Sequence, residues 1–534
     1  MSLLRNTAVQ TAMTLASRVL GFARDLAVTA RFGGQGPYMD AFATALMFPN
    51  LFRRLFAEGA FAQAFVPVYG RERVERGDEA AAAVASEAMS FLLAIVAAFC
   101  IAAQIAMPLL TPLLLSAYRN DAETLGVATL MIQITMPYLA CMTLAALLSG
   151  VLNTSGRFAL SAGVPTLLNV CTIAPLLLAP DARSAAILVS VAVTVAGVLQ
   201  AGLLWWGVRR LGVRLRFTWP KLTPVVKRVV WLAIPGALAG GATQINSLVS
   251  QVLTGSDAGA RGVLYNADRL YQLPLGLIGV AVGLALVPRL TRHLAAENHA
   301  AARSSMDEAI GLSMAFTLPA AAAFLIMPYF IIDATVTRGA FTHEDAARTA
   351  EVLRQFAWGV PAFVLAKVFT PPFFARQDTR RPMRFALISV AANIVLGAGL
   401  FFALPRYFAV DGVIGLAIAT SAAGWLNVAL LAGALARDKA YVVSAAAWRR
   451  LGRVLLATAA MSLVISLCAW NYARLADWLW SKEVAMLVVG LGGAGVFAAA
   501  AFAFGAVRLS EIRAALRRET GADGQGGLPG GLDG

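Results

Sequence analysis

Arg18, Arg24, Asp25, Asp40, Arg53, Arg54 and Glu58 fall in one stretch, SRVLGFARDLAVTARFGGQGPYMDAFATALMFPNLFRRLFAEGAFAQ (residues 17–63), that is otherwise apolar enough for two membrane spans. A charged side chain at the bilayer centre costs about 2.5–3.5 kcal/mol on insertion scales, so such a group must face protein or a water-filled cavity. If the first helix begins near residue 8, Arg18 lies about 15 Å along it, close to the midplane of a ~30 Å hydrocarbon core. Asp25 shares that face, whereas Arg24 points about a third of a turn away unless Gly21 unwinds the helix. Arg24 and Asp25 also read as a plain structural ion pair. In the next span Asp40 is near the outer end and Arg53 is about 20 Å further in. Arg54 and Glu58, at i,i+4, neutralise each other, which leaves Arg53 without a local partner.

A second group lies in YNADRLYQLPLGLIGVAVGLALVP (265–288), where Asp268 and Arg269 sit within two turns of the helix start. The plain alternative for Arg269 is an interfacial side chain reaching headgroups. Lys367 reads as snorkelling to the interface, and His293, His299 and His343, placed in loops, receive no role. Arg18, Arg24, Arg53 and Arg269 then outnumber Asp25 and Asp40. Planar guanidinium groups match phosphate and carboxylate oxygens bidentately, so the pattern points to an anion, a phosphate or diphosphate. Asp25, Asp40 and Glu58 are expected to balance charge or gate. An exporter of organic cations would need an unpaired deep acid, which the second half does not offer.

The elements that must hold these groups follow from composition. The chain has 534 residues, 59% hydrophobic and 14% charged, and therefore reads as an all-α polytopic membrane protein. Apolar runs broken by Gly, Pro and charge predict fourteen spans, at 7–31, 38–67, 83–115, 124–152, 159–179, 184–208, 226–253, 262–292, 303–333, 346–374, 382–404, 411–436, 447–472 and 481–507. Most Lys and Arg fall on the side of the N-terminus and the even connections, which places both termini in the cytoplasm. The net charge of +15 is explained by those connections, not by a nucleic-acid-binding face. Cys100, Cys141, Cys171 and Cys468 have neither CxxC nor metal spacing and read as small hydrophobes. No disulfide, zinc or other cofactor is expected. No cleavable signal peptide is expected either, so the first span stays.

The chain also repeats itself. Val66-Pro67, Met107-Pro108, Pro137 and Arg157-Phe158-Ala159-Leu160 recur in order, about 220 residues later, as Val287-Pro288, Met327-Pro328, Pro361 and Arg384-Phe385-Ala386-Leu387. Two six-span lobes are expected, 1–222 and 223–440, followed by two added spans in 441–518 and a Gly-rich disordered tail, 519–534. An even number of spans per copy makes the repeat parallel, an arrangement that puts a transport site at the lobe interface and permits alternating access by rocking. There is no phosphate-binding GxxxxGK[ST] loop, so the energy must come from an ion gradient, the membrane potential or the substrate itself. No enzymatic chemistry is expected.

SRVLGFARD (17–25), DAFATALMFPNLFRRLFAEGAFAQAFVP (40–67), LLSGVLNTSGRF (147–158), PTLLN (165–169), YNADRLYQLPLGLIGVAVG (265–283) and FFARQDTRRP (373–382) carry a resemblance. The chain resembles the MurJ (MviN) family of lipid II flippases, within the multidrug/oligosaccharidyl-lipid/polysaccharide exporter superfamily. The resemblance implies ATP-independent flipping of the undecaprenyl-diphosphate-linked peptidoglycan precursor across the bacterial inner membrane, with cell-wall synthesis proteins as candidate partners. It also implies that Arg18, Arg24, Arg53 and Arg269 bind substrate and that Asp40 is the family's outer-end aspartate. Gln272 stands where some members carry a glutamate, and VVWLAIPGALAGGATQINSLV (229–249) has no acidic ligand for the sodium site of some relatives. Coupling to the membrane potential or to counter-ions is therefore expected. The alternatives are a flippase for another polyprenyl-diphosphate oligosaccharide and a drug or cation antiporter of the same superfamily.

Overall fold

The computed structural model describes residues 3–56, 60–296, 298–376 and 378–506; the side chains of 3–12, 52–56, 60–63, 235–243, 277–289 and 294–295 also lie outside the described set. Glu58 and the tail 519–534 therefore fall outside it, as do the side chains of Arg53 and Arg54.

Every described regular element is helical. The chain runs α1 (Leu3–Phe32), α2 (Pro37–Ala45), α3 (Met47–Phe56), α4 (Ala60–Leu114), a 3-10 turn (Ser116–Tyr118), α5 (Ala122–Thr135), α6 (Tyr138–Thr154), α7 (Phe158–Gly163), α8 (Pro165–Leu178), α9 (Ala182–Arg210) and α10 (Pro224–Thr254). It continues through α11 (Ala260–Ala295), α12 (His299–Ile326), α13 (Pro328–Val336), α14 (His343–Ala357), α15 (Val360–Phe369), α16 (Pro371–Ala375), α17 (Arg380–Phe408), α18 (Gly412–Arg437), α19 (Ala445–Trp470), α20 (Tyr472–Trp478) and α21 (Lys482–Ala503). Ten helical segments among the described residues are long and apolar enough to cross a membrane. The protein is an all-α, multi-pass membrane protein.

Several predicted spans are interrupted, and proline supplies the reason. Residues 124–152 divide at Pro137, 159–179 at Pro165, 303–333 at Pro328, and 346–374 before Pro361 and Pro371. Proline has no N–H for the ladder but suits the first position of a new helix. The predicted span 38–67 becomes α2, α3 and the start of α4. The stretch predicted to be a loop after it is helical as well, the α4 backbone turning only at Gly77, with φ 86°. Its charges account for this, because Arg71 with Glu75 (3.9 Å) and Arg76 with Glu72 (3.6 Å) make i,i+4 pairs along the helix. His299 and His343 likewise begin helices and His293 lies in the last turns of one, rather than in loops.

The helices form two compact units that are interleaved along the chain: residues 1–270 with 332–356 and 383–423, and residues 271–331 with 357–382 and 424–534. In the first, α1 packs on α7 and α8, α2 on α5, α6 and α8 on α9, and α4 on α6 and α10. Its interior includes Val28, Phe32, Met39 and Phe42 from α1 and α2, with Met131, Ile132 and Val189 against them. In the second unit α19 packs between α12 and α21, and α15 lies on α12. The four cysteines are free.

Gly197 shows how closely the first unit is packed. A Cβ there would lie 3.0 Å from the Cys141 Cβ and against the Tyr138 ring, while one at Gly202 in the same helix would meet nothing within 4 Å. Gly197→Val is expected to cost about 1–3 kcal/mol through overpacking. Gly202→Ala should leave stability unchanged or slightly raised, and thermal unfolding of the two variants in detergent micelles makes the comparison.

Candidate functional site

α1 is held in register by α8, whose Asn169 lies against Gly21 and donates its amide to the Ser17 carbonyl at 3.0 Å. The helix is continuous past Gly21, so Gly21 does not unwind. Arg24 instead reaches back to its neighbour, donating to Asp25 Oδ1 from Nη2 at 2.7 Å and from Nε at 3.1 Å. Asp25 is also engaged by α11. Tyr265 donates its hydroxyl to Oδ1 at 3.0 Å, and Arg269 Nε lies 3.5 Å from Oδ2. The Arg269 guanidinium sits 4.8 Å over the Tyr265 ring, a cation–π contact that fixes its plane. The Arg24 and Asp25 side chains are 11% and 14% exposed and that of Arg269 is 35% exposed, so one oxyanion is shared by two guanidinium groups of which the second is open to a ligand.

Arg18 is on the face of α1 that carries Asp25, about 10 Å nearer the N-terminus. It is exposed and makes no hydrogen bond or ion pair with a described residue. Arg24, Asp25 and Arg269 are thus brought together, and Arg18 lies within two turns of them. Arg53 is on α3, its side chain outside the described residues.

Asp40 is placed elsewhere. It is buried at the far end of the unit, where Oδ2 accepts from Gly259 N (2.8 Å) and the Tyr118 hydroxyl (3.0 Å), and Oδ1 from Gly262 N (2.9 Å). Burial, with the Asp40 carboxylate beside it, holds the Tyr118 hydroxyl above its ordinary value. Next to Asp40, Arg261 is fully enclosed and donates to Thr44 Oγ1 and to the carbonyls of Leu114 and Gln251. Gly259, at φ +79°, lets the α10–α11 turn touch Gln35, whose Cβ would be 2.6 Å from any Cβ there. Asp345 extends the closure by accepting from Gly34 N (3.0 Å) and Thr342 N (2.9 Å).

Arg348 completes this end. It binds Asp411 at 2.5 Å, Asp257 at 2.7 Å and Gln35 Oε1 at 2.9 Å, joining the turns before α2, α11 and α18. Burial, with Asp411 nearby, holds Asp257 above the usual carboxylate range despite Arg348. The sequence reading missed Tyr265, Arg261 and Arg348. Arg261 stands just before a predicted span, where the depth rule used for Arg18 does not reach, and HEDAARTAEVLRQF (343–356) reads as an ordinary solvated helix, which hides Arg348.

The second unit contains a groove of about 1070 Å³ between α12, α19 and α21. Leu312, Phe316, Met461, Ile465 and Phe497 make it apolar, and Ser304, Asp307, Glu308 and Arg450 lie at one end. Tyr441, buried between α18 and α19, donates to Asp307 at 2.5 Å and so ties α12 to the start of α19.

The Arg348 junction gives the first test of the closed end. Arg348→Ala leaves two carboxylates facing each other and should loosen the closure by about 1–3 kcal/mol. Hydrogen exchange at Gly34 and Gly259 should accelerate about 5- to 150-fold on that basis. Arg354→Ala, which removes only the exposed pair with Glu351, should not change it.

Residues 29–488 match the family model described as Lipid II flippase MurJ. A Rhizobium meliloti protein named probable lipid II flippase MurJ is 37% identical over 530 residues, covering 98% of each chain. A Burkholderia cenocepacia protein named lipid II flippase MurJ is 30% identical over 513 residues, 95% of this chain and 97% of the relative. In fold, the chain is similar to a solved lipid II flippase MurJ in an inward closed conformation, with TM-score 0.78 and 24% identity, covering 93% of this chain and 98% of that one. It is also similar to an inward-facing MATE multidrug transporter of the MOP superfamily, with TM-score 0.64 and 13% identity over 81% of this chain and 98% of that one. With a family match over most of its length and relatives aligned along nearly all of theirs, the chain belongs to the MurJ family of lipid II flippases.

Proposed function

We propose that this protein carries lipid II, the undecaprenyl-diphosphate-linked peptidoglycan precursor, from the inner to the outer leaflet of the bacterial inner membrane by alternating access, both termini being cytoplasmic. The observation that carries the reading, in a chain of this family, is the Arg24–Asp25–Tyr265–Arg269 cluster with Arg18 free on the same helix face. A diphosphate offers several oxygens to guanidinium groups that have five N–H donors each. In the unloaded protein Asp25 keeps Arg24 and Arg269 compensated, so neither is left as an unpaired buried charge. The diphosphate competes with Asp25 for both, and Arg18 takes the oxygens that remain. Arg53 is proposed to line the same site.

Release requires the far end to open. Asp40 would act there as a gate, because its acceptors hold the α10–α11 turn against α2. The rocking bodies are proposed to be the two repeat lobes, 1–222 and 223–440. The apolar groove between α12, α19 and α21 is proposed to shelter the polyprenyl tail, the role of the added helices. An inside-negative potential drives an anion outward by about 2.3 kcal/mol per charge per 100 mV. At the position considered for sodium, Asn246 of α10 already accepts from Asn393 at 2.9 Å, which favours coupling to the potential. A cation antiporter is disfavoured because the deep acid, Asp25, is already held by two guanidinium groups.

The test is complementation of a flippase-depleted bacterium with variants at matched expression, reading outer-leaflet lipid II by its accessibility to an external reagent. Arg24→Ala and Arg269→Ala each remove charge-assisted hydrogen bonds of about 1.5–3 kcal/mol and should lower translocation about 10- to 100-fold. Arg18→Lys, which keeps charge but loses the fork, should fall between these and the parent. Unchanged lipid II with loss of a different polyprenyl-linked glycan would reject the head-group assignment.

A further inference from the structure

The connection between α9 and α10 is extended where the rest of the chain is helical. Residues 213–223 contain no helix, and Pro220 and Pro224 punctuate the segment. It is nonetheless fixed. Val213 and Leu215 point into the core, while α4 receives the strap along one face: Arg216 N donates to Ser86 Oγ at 3.1 Å, Thr218 N to Ser90 Oγ at 2.9 Å, and Thr223 Oγ1 to Glu87 Oε2 at 2.7 Å. The alternation that buries Val213 and Leu215 turns Arg214 and Arg216 outward.

What the strap presents is basic and aromatic together. Residues 209–228 include Arg209, Arg210, Arg214, Arg216, Lys221, Lys227 and Arg228 and no acidic residue. Phe217 stacks on Trp205 at 5.7 Å and 9°, Arg209 lies 5.7 Å from the Trp205 ring and Arg210 lies 4.1 Å over Trp206. Phe217 and Trp219 remain 70% and 81% exposed. Trp205 and Trp206 are within about 8 Å of the end of a membrane span, the depth of the headgroup layer. Aromatic rings exposed beside unneutralised cations at that depth match a surface that is apolar below and anionic above.

We propose that the strap 211–223 and the last turn of α9 form a docking surface for anionic phospholipid headgroups. Phe217 and Trp219 enter the interface, and Arg214, Arg216 and Lys221 engage the phosphates. The two serines of α4 hold the backbone and Glu87 holds the Thr223 hydroxyl, so that these side chains face the leaflet together. The surface is separate from the diphosphate site, and its occupancy does not depend on which lipid-linked sugar is carried.

The full-length protein in nanodiscs made from equal amounts of phosphatidylglycerol and phosphatidylcholine tests this, with the lipids retained after gentle release counted by native mass spectrometry. The parent should retain phosphatidylglycerol in preference to phosphatidylcholine. The triple variant R214Q/R216Q/K221Q should lose that preference on the order of tenfold, since each charge near a membrane surface contributes measurably to anionic-lipid attraction. R380Q/R384Q/R449Q, which removes the same charge from other exposed positions, should keep it. An environment-sensitive fluorophore on Trp219→Cys should be quenched by lipids brominated near the headgroup. Equal phosphatidylglycerol retention in both triple variants, or a Trp219→Cys probe quenched only by aqueous iodide, would overturn the proposal.

Discussion

Asp25 is the group on which the candidate site depends. Without it, Arg24 and Arg269 would face each other in a membrane-embedded setting with no counter-charge, which hydrocarbon does not tolerate. With it, two guanidinium groups from α1 and α11 are held on one carboxylate and Tyr265 aligns the second of them. The carboxylate therefore does two things at once: it allows the helices to carry these arginines, and it holds the two guanidinium groups close together.

The far end of the same unit solves a different problem with different materials. There the joining groups are backbone N–H donors on Asp40 and Asp345 and the forked contacts of Arg261 and Arg348. Glycines allow the turns to meet without side chains between them, as Gly259 does against Gln35. Hydrogen bonds between preformed turns form and separate as a set, which suits the gate proposed there. The Asp25 cluster, by contrast, is built along the interiors of α1 and α11, where the backbone is already satisfied by its own helix.

The fold class was legible in the sequence because lipid imposes so strong a constraint: each of the fourteen apolar ranges is mainly helical where it is described, even where a break divides it. What hydropathy could not show was where prolines divide a span, or that RERVER continues a helix as far as the kink at Gly77, since polar residues with good i,i+4 pairing look like a loop to an apolar-run criterion. At the site, depth along a helix drew attention to Arg18, with Asp25 on the same face seven residues on, whereas Arg269 stood out only as a charge within two turns of a helix start. The convergence of Asp25 with Tyr265 and Arg269 depends on contacts some 240 residues apart, which periodicity does not encode. The same holds for Arg348, whose partners Asp257 and Asp411 lie in turns that look unremarkable one at a time.

The shared carboxylate also bears on turnover. A transporter must release its cargo as readily as it takes it, and a pocket of arginines with no acid would hold a diphosphate too tightly, since each charge-assisted contact contributes about 1.5–3 kcal/mol. In the proposed site Asp25 is a permanent competitor for the same N–H groups. Binding then yields only the difference between the arginine–diphosphate contacts and the arginine–Asp25 contacts given up, and on release the guanidinium groups return to a partner instead of to an empty cavity. Asparagine in place of Asp25 would keep the shape but lose this competition, so tight binding and fast release would no longer be balanced by the same side chain.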